Sequence, residues 1–296
     1  MPRRCVLFGF VIGLLVSPAD VARALDPAPD DAEPAILNIE DVPTPTALAE
    51  LLPEGGVGSV EVDYWLTMTM RNDAGRVGNE SYYHWSIKPE GETLVFTYRY
   101  GFAGNNGRHV HSRAVYSAKG GLVAYRQVMA FASGLTRTTT AEVGADQTVL
   151  TTTTTRDDGR EPAPAKVARL PAERESGAVP AEWLPLVFAY HIRKGSLGYR
   201  YKTINPVGQG PPQANRVVDL GVERVEIDGE PRRAHLLALE RAQAGNPQNI
   251  LTRIKVLVTE AGEVLSMDSA SDKYRLVYRR TTAEEAAERF GVELDP

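Results

Sequence analysis

Apolar and polar residues alternate with a period of two along most of the chain, which is the pattern of β-strands with one buried face. The clearest case runs from Val60 to Met70, where every second residue is apolar and the residues between them are mostly polar. Turn residues such as Asn72-Asp-Ala-Gly75 and Asp228-Gly229 separate successive segments. We predict strands at residues 57–70, 80–87, 93–100, 109–116, 122–131, 136–142, 148–155, 197–204, 217–227, 234–241, 250–260, 264–269 and 274–279.

The segment from Val179 to Gly195 breaks this alternation. Its apolar residues cover nearly every direction of a helix, and such a helix is buried on more than one side. Pro185 is tolerated only near the start of a helix. These features predict a helix over residues 185–194 that the sheet wraps. The helix should end at Gly195, because glycine commonly ends helices. A connector that fills the gap between two sheet layers is the alternative.

Two shorter helices flank the strands. Thr44-Pro45 predicts an N-terminal helix with Thr44 as its N-cap. Thr282-Ala-Glu-Glu285 matches a capping box and Gly291 supplies a stop, which predicts a C-terminal helix. The fold is therefore predicted to be mainly β: a large curved antiparallel sheet or open barrel with a short buried central helix and a C-terminal helix. A sandwich is the alternative, and the pattern argues against a nucleotide-binding α/β fold.

The first 24 residues have the features of a signal peptide. Arg3 and Arg4 precede an apolar run from Val6 to Val16, and Ala22-Arg-Ala24 fits the rule for cleavage sites. The alternative is an uncleaved anchor, but the run is short of the roughly 20 apolar residues that cross a bilayer. We expect residues 1–24 to be removed, which leaves no transmembrane segment in the mature protein.

Residues 25–43 are acidic, rich in proline and poor in residues that can be buried, so we expect a disordered tether. The remainder, 44–296, is predicted to be a single β-rich domain. Its two strand arrays, 57–155 and 197–280, would lie around the helix at 185–194. The polar stretch between residues 157 and 179 is expected to be a loop with room for one short strand at 166–170.

Composition narrows the cellular setting. The only cysteine, Cys5, lies in the predicted signal peptide, so the mature chain has no disulfide and no thiol chemistry. A cysteine-free exported protein of this size fits a bacterial cell envelope, and we expect a periplasmic or secreted location. The formal net charge is −5 and no basic stripe occurs, which argues against a nucleic-acid partner. We expect no cofactor.

Aromatic residues are the main candidates for ligand binding, since aromatic side chains on a concave face bind acyl chains, sugars or apolar peptides. Ordinary core packing is the alternative explanation. The candidates are Tyr64, Tyr82, Trp85, Tyr98, Trp183, Phe188 and Tyr190. The last three of these are expected to be buried against strands from both halves of the chain.

Histidine and carboxylate residues suggest two weaker hypotheses. His109 and His111 share one face of a strand and are weak candidates for a metal site, with His84 as a third ligand if its strand lies nearby. Glu61 and Asp63 also share a face, as the carboxylate pair of a hydrolase would. The alternative for both pairs, and the more usual one, is the wet side of an amphipathic strand. The common catalytic motifs are missing from the sequence.

The order of elements resembles that of the lipoprotein-carrier (LolA/LolB-like) incomplete barrels of the bacterial periplasm. The matching stretches are Val225-Glu-Ile-Asp-Gly229, which leads into Ala234–Glu240, and Val256–Leu265, which leads into the last strand. The resemblance extends from Val57 to about Arg280. It implies a concave apolar face, covered by helices, that can hold a lipid chain or a similar ligand.

Three functions follow from these patterns. The first is a non-enzymatic binding or carrier module of the cell envelope for a lipid or another hydrophobic small molecule. The second is a structural or assembly factor of the envelope that acts through contacts with another envelope protein. The third is a hydrolase that uses the carboxylates or histidines carried by the strands.

Overall fold

The computed structural model of the chain describes residues 42–72, 77–102, 108–144, 147–157, 163–171, 177–204, 212–227, 229–243, 246–270 and 274–292. The predicted signal peptide, all but the last two residues of the predicted tether, and the Gly/Pro-rich segment 205–211 lie outside these ranges. All structural statements below concern the described residues.

The structure contains sixteen strands, three α-helices and two 3₁₀ turns. The helices are α1 (Leu48–Leu51), α2 (Leu184–Lys194) and α3 (Ala283–Phe290), and the 3₁₀ turns are Val57–Ser59 and Ala181–Trp183. The strands are β1 (Val42–Pro43), β2 (Val62–Asn72), β3 (Val77–Glu90), β4 (Thr93–Phe102), β5 (Arg108–Ser117), β6 (Leu122–Phe131), β7 (Leu135–Val143), β8 (Gln147–Arg156), β9 (Ala163–Pro171), β10 (Ala178–Pro180), β11 (Gly198–Ile204), β12 (Gln213–Ile227), β13 (Glu230–Gln243), β14 (Asn246–Thr259), β15 (Val264–Ala270) and β16 (Tyr274–Thr281).

All the strands belong to one sheet. Strands β2 to β9 follow one another as antiparallel neighbours, as do β11 to β16, and the pairing of β16 with β2 joins the two arrays. Strands β1 and β10 both pair with β11 in the parallel direction. In the described part of the chain, β9 pairs only with β8, so the sheet is open between the β9 edge and the edge formed by β1 and β10. The predicted fold class, a large open antiparallel sheet with few helices, is confirmed.

Alternation along each strand separates an inner from an outer face. On β2, Val62, Tyr64, Leu66 and Met68 belong to the main hydrophobic core. Side chains from strands of both arrays and from α2 complete this core, so it lies on the inner face of the sheet. The period of two in the sequence thus specified which side chains point inward, as expected for a sheet with one buried face.

Helix α2 begins at Leu184, one residue before the predicted start, and it follows the 3₁₀ turn directly. Pro185 fits in the first turn because its nitrogen lies where no intrahelical partner exists. The helix ends as predicted. Gly195 adopts a left-handed conformation with φ of 65°, and its N–H is directed at the carbonyls of His191 and Ile192.

The prediction for Thr44 is wrong. Helix α1 begins only at Leu48, with Ala47 at its N-cap. Thr44 instead continues the edge strand β1, and its backbone N–H donates to the carbonyl of Arg200 at 3.0 Å. Its hydroxyl lies 2.8 Å from His191 Nε2. Pairing with β11 therefore takes the last residues of the predicted tether, Val42–Pro43, into the sheet.

The C-terminal helix forms as predicted. Thr282 is its N-cap and makes a reciprocal capping box with Glu285, and Gly291 has φ of 64° at its end. The helix packs on the outer face of the sheet, where Ala286 contacts Trp65 and Tyr82 in a second small core. Both faces of β2 and β3 are therefore covered at this point.

Candidate functional site

Most of the aromatic candidates lie in one place, the inner face of the sheet. The cluster includes Trp183, which is 1% exposed, and Phe188, which is 2% exposed, as expected for residues that the sheet wraps. Tyr190 is only partly buried and packs against the same cluster. The other members from the candidate set are Tyr64, Trp85 and Tyr98.

Tyr82 is separated from the other candidates because it points to the outer face. Its ring lies 5.5 Å from that of Phe290 on α3, and its hydroxyl lies 3.2 Å from His109 Nδ1. Burial under the helix raises the pKa of Tyr82 to about 12. Tyr82 therefore belongs to the packing of the C-terminal helix and does not line the concave face.

The histidines do not converge on a metal site. In register, His84 faces Arg99 on β4, and Arg99 faces His111 on β5, so an arginine separates the two imidazoles. Among the described residues, no group of three or more His, Cys, Asp or Glu side chains is placed to hold a metal ion. A guanidinium between two imidazoles repels a cation, which is the physical reason that this row is unsuited to metal.

The carboxylates proposed for a hydrolase are not paired with each other. Asp63 lies 2.8 Å from His84 Nε2 and 2.9 Å from Lys88 Nζ, and these partners hold its pKa below the ordinary value against the effect of desolvation. Glu61 is an exposed residue just before β2. Asp63 therefore acts in a surface ion-pair group.

One end of the concave interior is closed by the central helix. The Trp183 ring lies 5.2 Å from that of Tyr116 and 6.5 Å from that of Phe96. The Tyr116 hydroxyl donates to Glu182 Oε1 at 2.6 Å, which gives this buried carboxylate a partner. The pattern of apolar residues did not single out Glu182, because a lone acid in a helix lead-in has no distinguishing spacing.

The helix also meets the sheet from the other array. Gly262, in the turn between β14 and β15, has φ of 90°, and a Cβ at this position would overlap the carbonyl oxygen of Pro185. The backbone of α2 thus lies directly against this turn. Only glycine combines the left-handed conformation with so close an approach of two backbones.

The opposite end of the interior is lined by tyrosines. The ring of Tyr83 lies 5.4 Å from that of Tyr278 on β16 and 5.9 Å from that of Tyr100 on β4. Burial raises the pKa of each of these hydroxyls, so they remain protonated at neutral pH. Protonated phenols can donate hydrogen bonds to a ligand.

Two arginines extend this group of tyrosines at its two ends. The Arg108 guanidinium lies 5.4 Å from the centre of the Tyr100 ring. Desolvation by burial lowers the pKa of Arg241, whose charge acts on Tyr201 and Tyr278. Its Nε has one long contact, 3.5 Å to Asn215 Oδ1. We refer to Arg108, Tyr100, Tyr83, Tyr278 and Arg241 as the arginine–tyrosine strip.

The charges of the strip are not compensated. Within the described ranges, neither Arg108 nor Arg241 forms an ion pair, and the buried Nε of Arg108 has no hydrogen-bond partner. Three partly buried apolar side chains, Met70, Phe102 and Phe131, pack against the core at the same strand ends. This end of the interior therefore combines positive charge, hydroxyl donors and an apolar rim.

The two arginines could have been placed on the inner face from the sequence. Arg108 lies two residues before the buried Val110, and Arg241 lies two residues after the buried Leu239, so each continues the alternation of its strand. The sequence offered no indication that they lie at the same end of one interior. That depends on the curvature of the sheet.

An open groove of about 580 Å³ lies on the outer surface between α3 and the strands β2 and β16. Its charged groups already have partners, since Arg280 Nη1 lies 3.0 Å from Glu263 and Arg289 pairs with Glu80. Glu285 is engaged in the capping box. The groove therefore offers a ligand fewer charged groups without an ion-pair partner than the arginine–tyrosine strip does.

The comparison with solved structures concerns the fold. The structure is similar to the crystal structure of a β-barrel-like protein of a domain of unknown function, DUF1849, from Brucella abortus. The TM-score is 0.50 at 12% sequence identity, and the match covers 77% of this chain and 98% of that one. This similarity concerns the fold alone. No family model and no curated protein matches the sequence.

In the part of the chain that the structure describes, no helix is both long and apolar enough to cross a bilayer.

Proposed function

We propose that the chain is an exported cell-envelope protein that binds or carries a lipid or another hydrophobic molecule and catalyses no reaction. The observation that carries this proposal is the continuous aromatic and aliphatic inner face of one open sheet. Its likeness in element order to the LolA/LolB-like carriers, and its similarity in fold to a β-barrel-like protein, are consistent with a binding module.

The open edge explains how a packed interior can admit a ligand. Because β9 does not pair with β1 or β10 among the described residues, no hydrogen bonds between those strands have to break when the sheet changes its curvature. The cost is the exposure of apolar side chains, and an apolar ligand that covers the same surface offsets it.

Native mass spectrometry of the gently purified protein tests the proposal. We expect a bound species of lipid mass that is released by organic solvent. Titration with a neutral hydrophobic dye should give saturable binding, and dodecanol should compete with it. A lipid-free protein that also fails to bind the dye would contradict the proposal.

The proposed export has a separate test. N-terminal sequencing of the protein from the envelope fraction should begin at Leu25, directly after the predicted cleavage site. A protein that retains Met1 in the cytoplasmic fraction would contradict this part of the proposal and leave the binding proposal to its own test.

A second candidate function is assembly with another envelope protein through the β9 edge. The supporting observation is that Val167 on this strand is 56% exposed. The case for this second function is weakened by Lys166 and the two prolines of β9, because charged residues and proline are typical of edge strands that resist pairing. Cross-linking at Val167 in whole cells should capture a partner if this function is correct.

A further inference from the structure

We infer that the arginine–tyrosine strip binds the anionic head of an amphiphile, a carboxylate or phosphate group, while the apolar rim of Met70, Phe102 and Phe131 holds the start of its chain. The inference rests on the proposed binding function and specifies the chemical class of the ligand. It distinguishes anionic amphiphiles from neutral and cationic ones of the same length.

The first supporting observation is the uncompensated charge. A charged side chain that is taken out of water is costly unless it is paired, and proteins therefore give most such groups a partner. Arg241 is desolvated and has a single long hydrogen bond, and the buried Nε of Arg108 has none within the described ranges. The guanidinium of Arg108 also hydrogen-bonds the neutral Tyr100 hydroxyl, so an anionic ligand would supply the opposite charge that both arginines lack within the described ranges.

The second observation is the composition of the strip. Guanidinium groups bind carboxylate and phosphate oxygens through paired N–H donors. Tyr83, Tyr100 and Tyr278 lie between the two arginines, and Tyr83 is in ring contact with both of the other tyrosines. The strip thus places two guanidinium donors and the tyrosine hydroxyls along one line of the inner face.

The third observation is the contrast with the other arginines. Those on the outer face that lie near carboxylates are paired with them, as Arg216 and Arg253 are with Glu240. Arg108 and Arg241 point inward, have no ion pair in the described part of the chain and adjoin an apolar rim, which is the combination that an amphiphile needs.

Calorimetric titration with laurate, dodecanol, dodecyltrimethylammonium and acetate tests the inference. These probes separate the contribution of the charged head to binding from that of the alkyl chain. We expect laurate to bind at least about tenfold more tightly than dodecanol, since an anion gains charge-assisted hydrogen bonds that the alcohol lacks. Acetate and the cationic amphiphile should bind more weakly than either.

Variants identify the residues responsible. Arg241→Met and Arg108→Met keep most of the apolar stem, and each should weaken laurate binding about tenfold while leaving dodecanol binding unchanged. The laurate affinity of Arg241→Lys should lie between those of the wild type and Arg241→Met, because lysine keeps the charge and loses the planar guanidinium group. Arg224→Met, at an exposed position on β12, is the matched control and should bind laurate normally.

Each contrary result has a distinct meaning. Equal affinity for laurate and dodecanol, or unchanged laurate binding in both strip variants, would overturn the inference and leave the proposed function in place. Acetate that binds as tightly as laurate would also overturn it, because the site would then accept a small anion without a chain. No binding of any amphiphile would overturn the inference and the proposed function together.

Discussion

The two ends of the concave interior treat their buried charges in opposite ways. At the end closed by α2, the buried carboxylate of Glu182 accepts a 2.6 Å hydrogen bond from Tyr116, and Trp183 lies between aromatic rings. At the other end, Arg108 and Arg241 have no ion pair in the described part of the chain. The buried carboxylate has a partner within the protein, whereas we propose that the partner of the two arginines is a ligand.

This difference matters because stability and binding make opposite demands. A satisfied, close-packed cluster contributes to folding and loses stability when any member is changed. A desolvated charge without a partner reduces stability and is retained where function requires it. Substitutions at the two ends should therefore have opposite effects on the free energy of unfolding.

The largest effect is expected at Trp183. Trp183→Ala removes the side chain that fills the space between α2, Tyr116 and Phe96, and it should lower the free energy of unfolding by about 3–5 kcal/mol. Urea denaturation followed by circular dichroism measures the change. Val167→Ala, at an exposed position, should cost under about 0.5 kcal/mol. A loss below about 1 kcal/mol at Trp183 would show that the helix does not stabilise this end.

The second-largest loss in the free energy of unfolding is expected at Gly262. Gly262→Ala would force α2 away from the turn between β14 and β15, and we expect a loss of about 2–4 kcal/mol. Gly229→Ala is the matched control, since Gly229 also has positive φ, 79°, but open space around it. Its cost should stay near 1 kcal/mol. Equal losses at the two glycines would mean that backbone conformation alone matters and that the helix contact does not.

A smaller effect should appear as a pH dependence at His191, near the end of α2. Its ring stacks on Tyr199 at 3.8 Å, and burial lowers the pKa of His191 to about 4 from an ordinary 6.5. The unfolded chain thus binds more protons between these values, so stability should fall by about 1–3 kcal/mol as the pH drops from 6.5 to 4. Below pH 4 this contribution is fully lost.

Carboxylates also titrate in the acid range, so the measurement must isolate the histidine. The difference in stability between the wild type and His191→Asn, measured by urea denaturation from pH 8 to 4, cancels their contribution. The difference should shrink as the pH falls. A difference independent of pH would contradict the neutral, buried state of His191.

The smallest effect, and one of opposite sign, is expected at Arg241. Arg241→Met removes a desolvated charge that has no ion pair among the described residues, so stability should be unchanged or rise by up to about 1 kcal/mol. Thermal unfolding without ligand measures the change. A clear loss of stability would show that Arg241 supports the fold, and the comparison between the two ends would then fail.

Local sequence determined most of the secondary structure. Alternation specified the inner face of β2, where Tyr64 and Leu66 are buried. The capping box at Thr282 and the glycines at 195 and 291 specified helix ends, because these depend on the residue at one position and its immediate neighbours. Such features are local, and a single sequence contains them.

Tertiary structure decided the rest. Tyr82 and Tyr83 point to opposite faces because side chains alternate along a strand, but only the tertiary structure shows that α3 covers the outer face and buries Tyr82 there. Thr44 lost its predicted role as an N-cap when β1 paired with β11. Arg108 and Arg241 lie at the same end of the interior because the pairing of β16 with β2 joins the two arrays into one sheet. Pairings between distant strands leave no mark in the local pattern, so the sequence alone determined the elements and the fold determined the site.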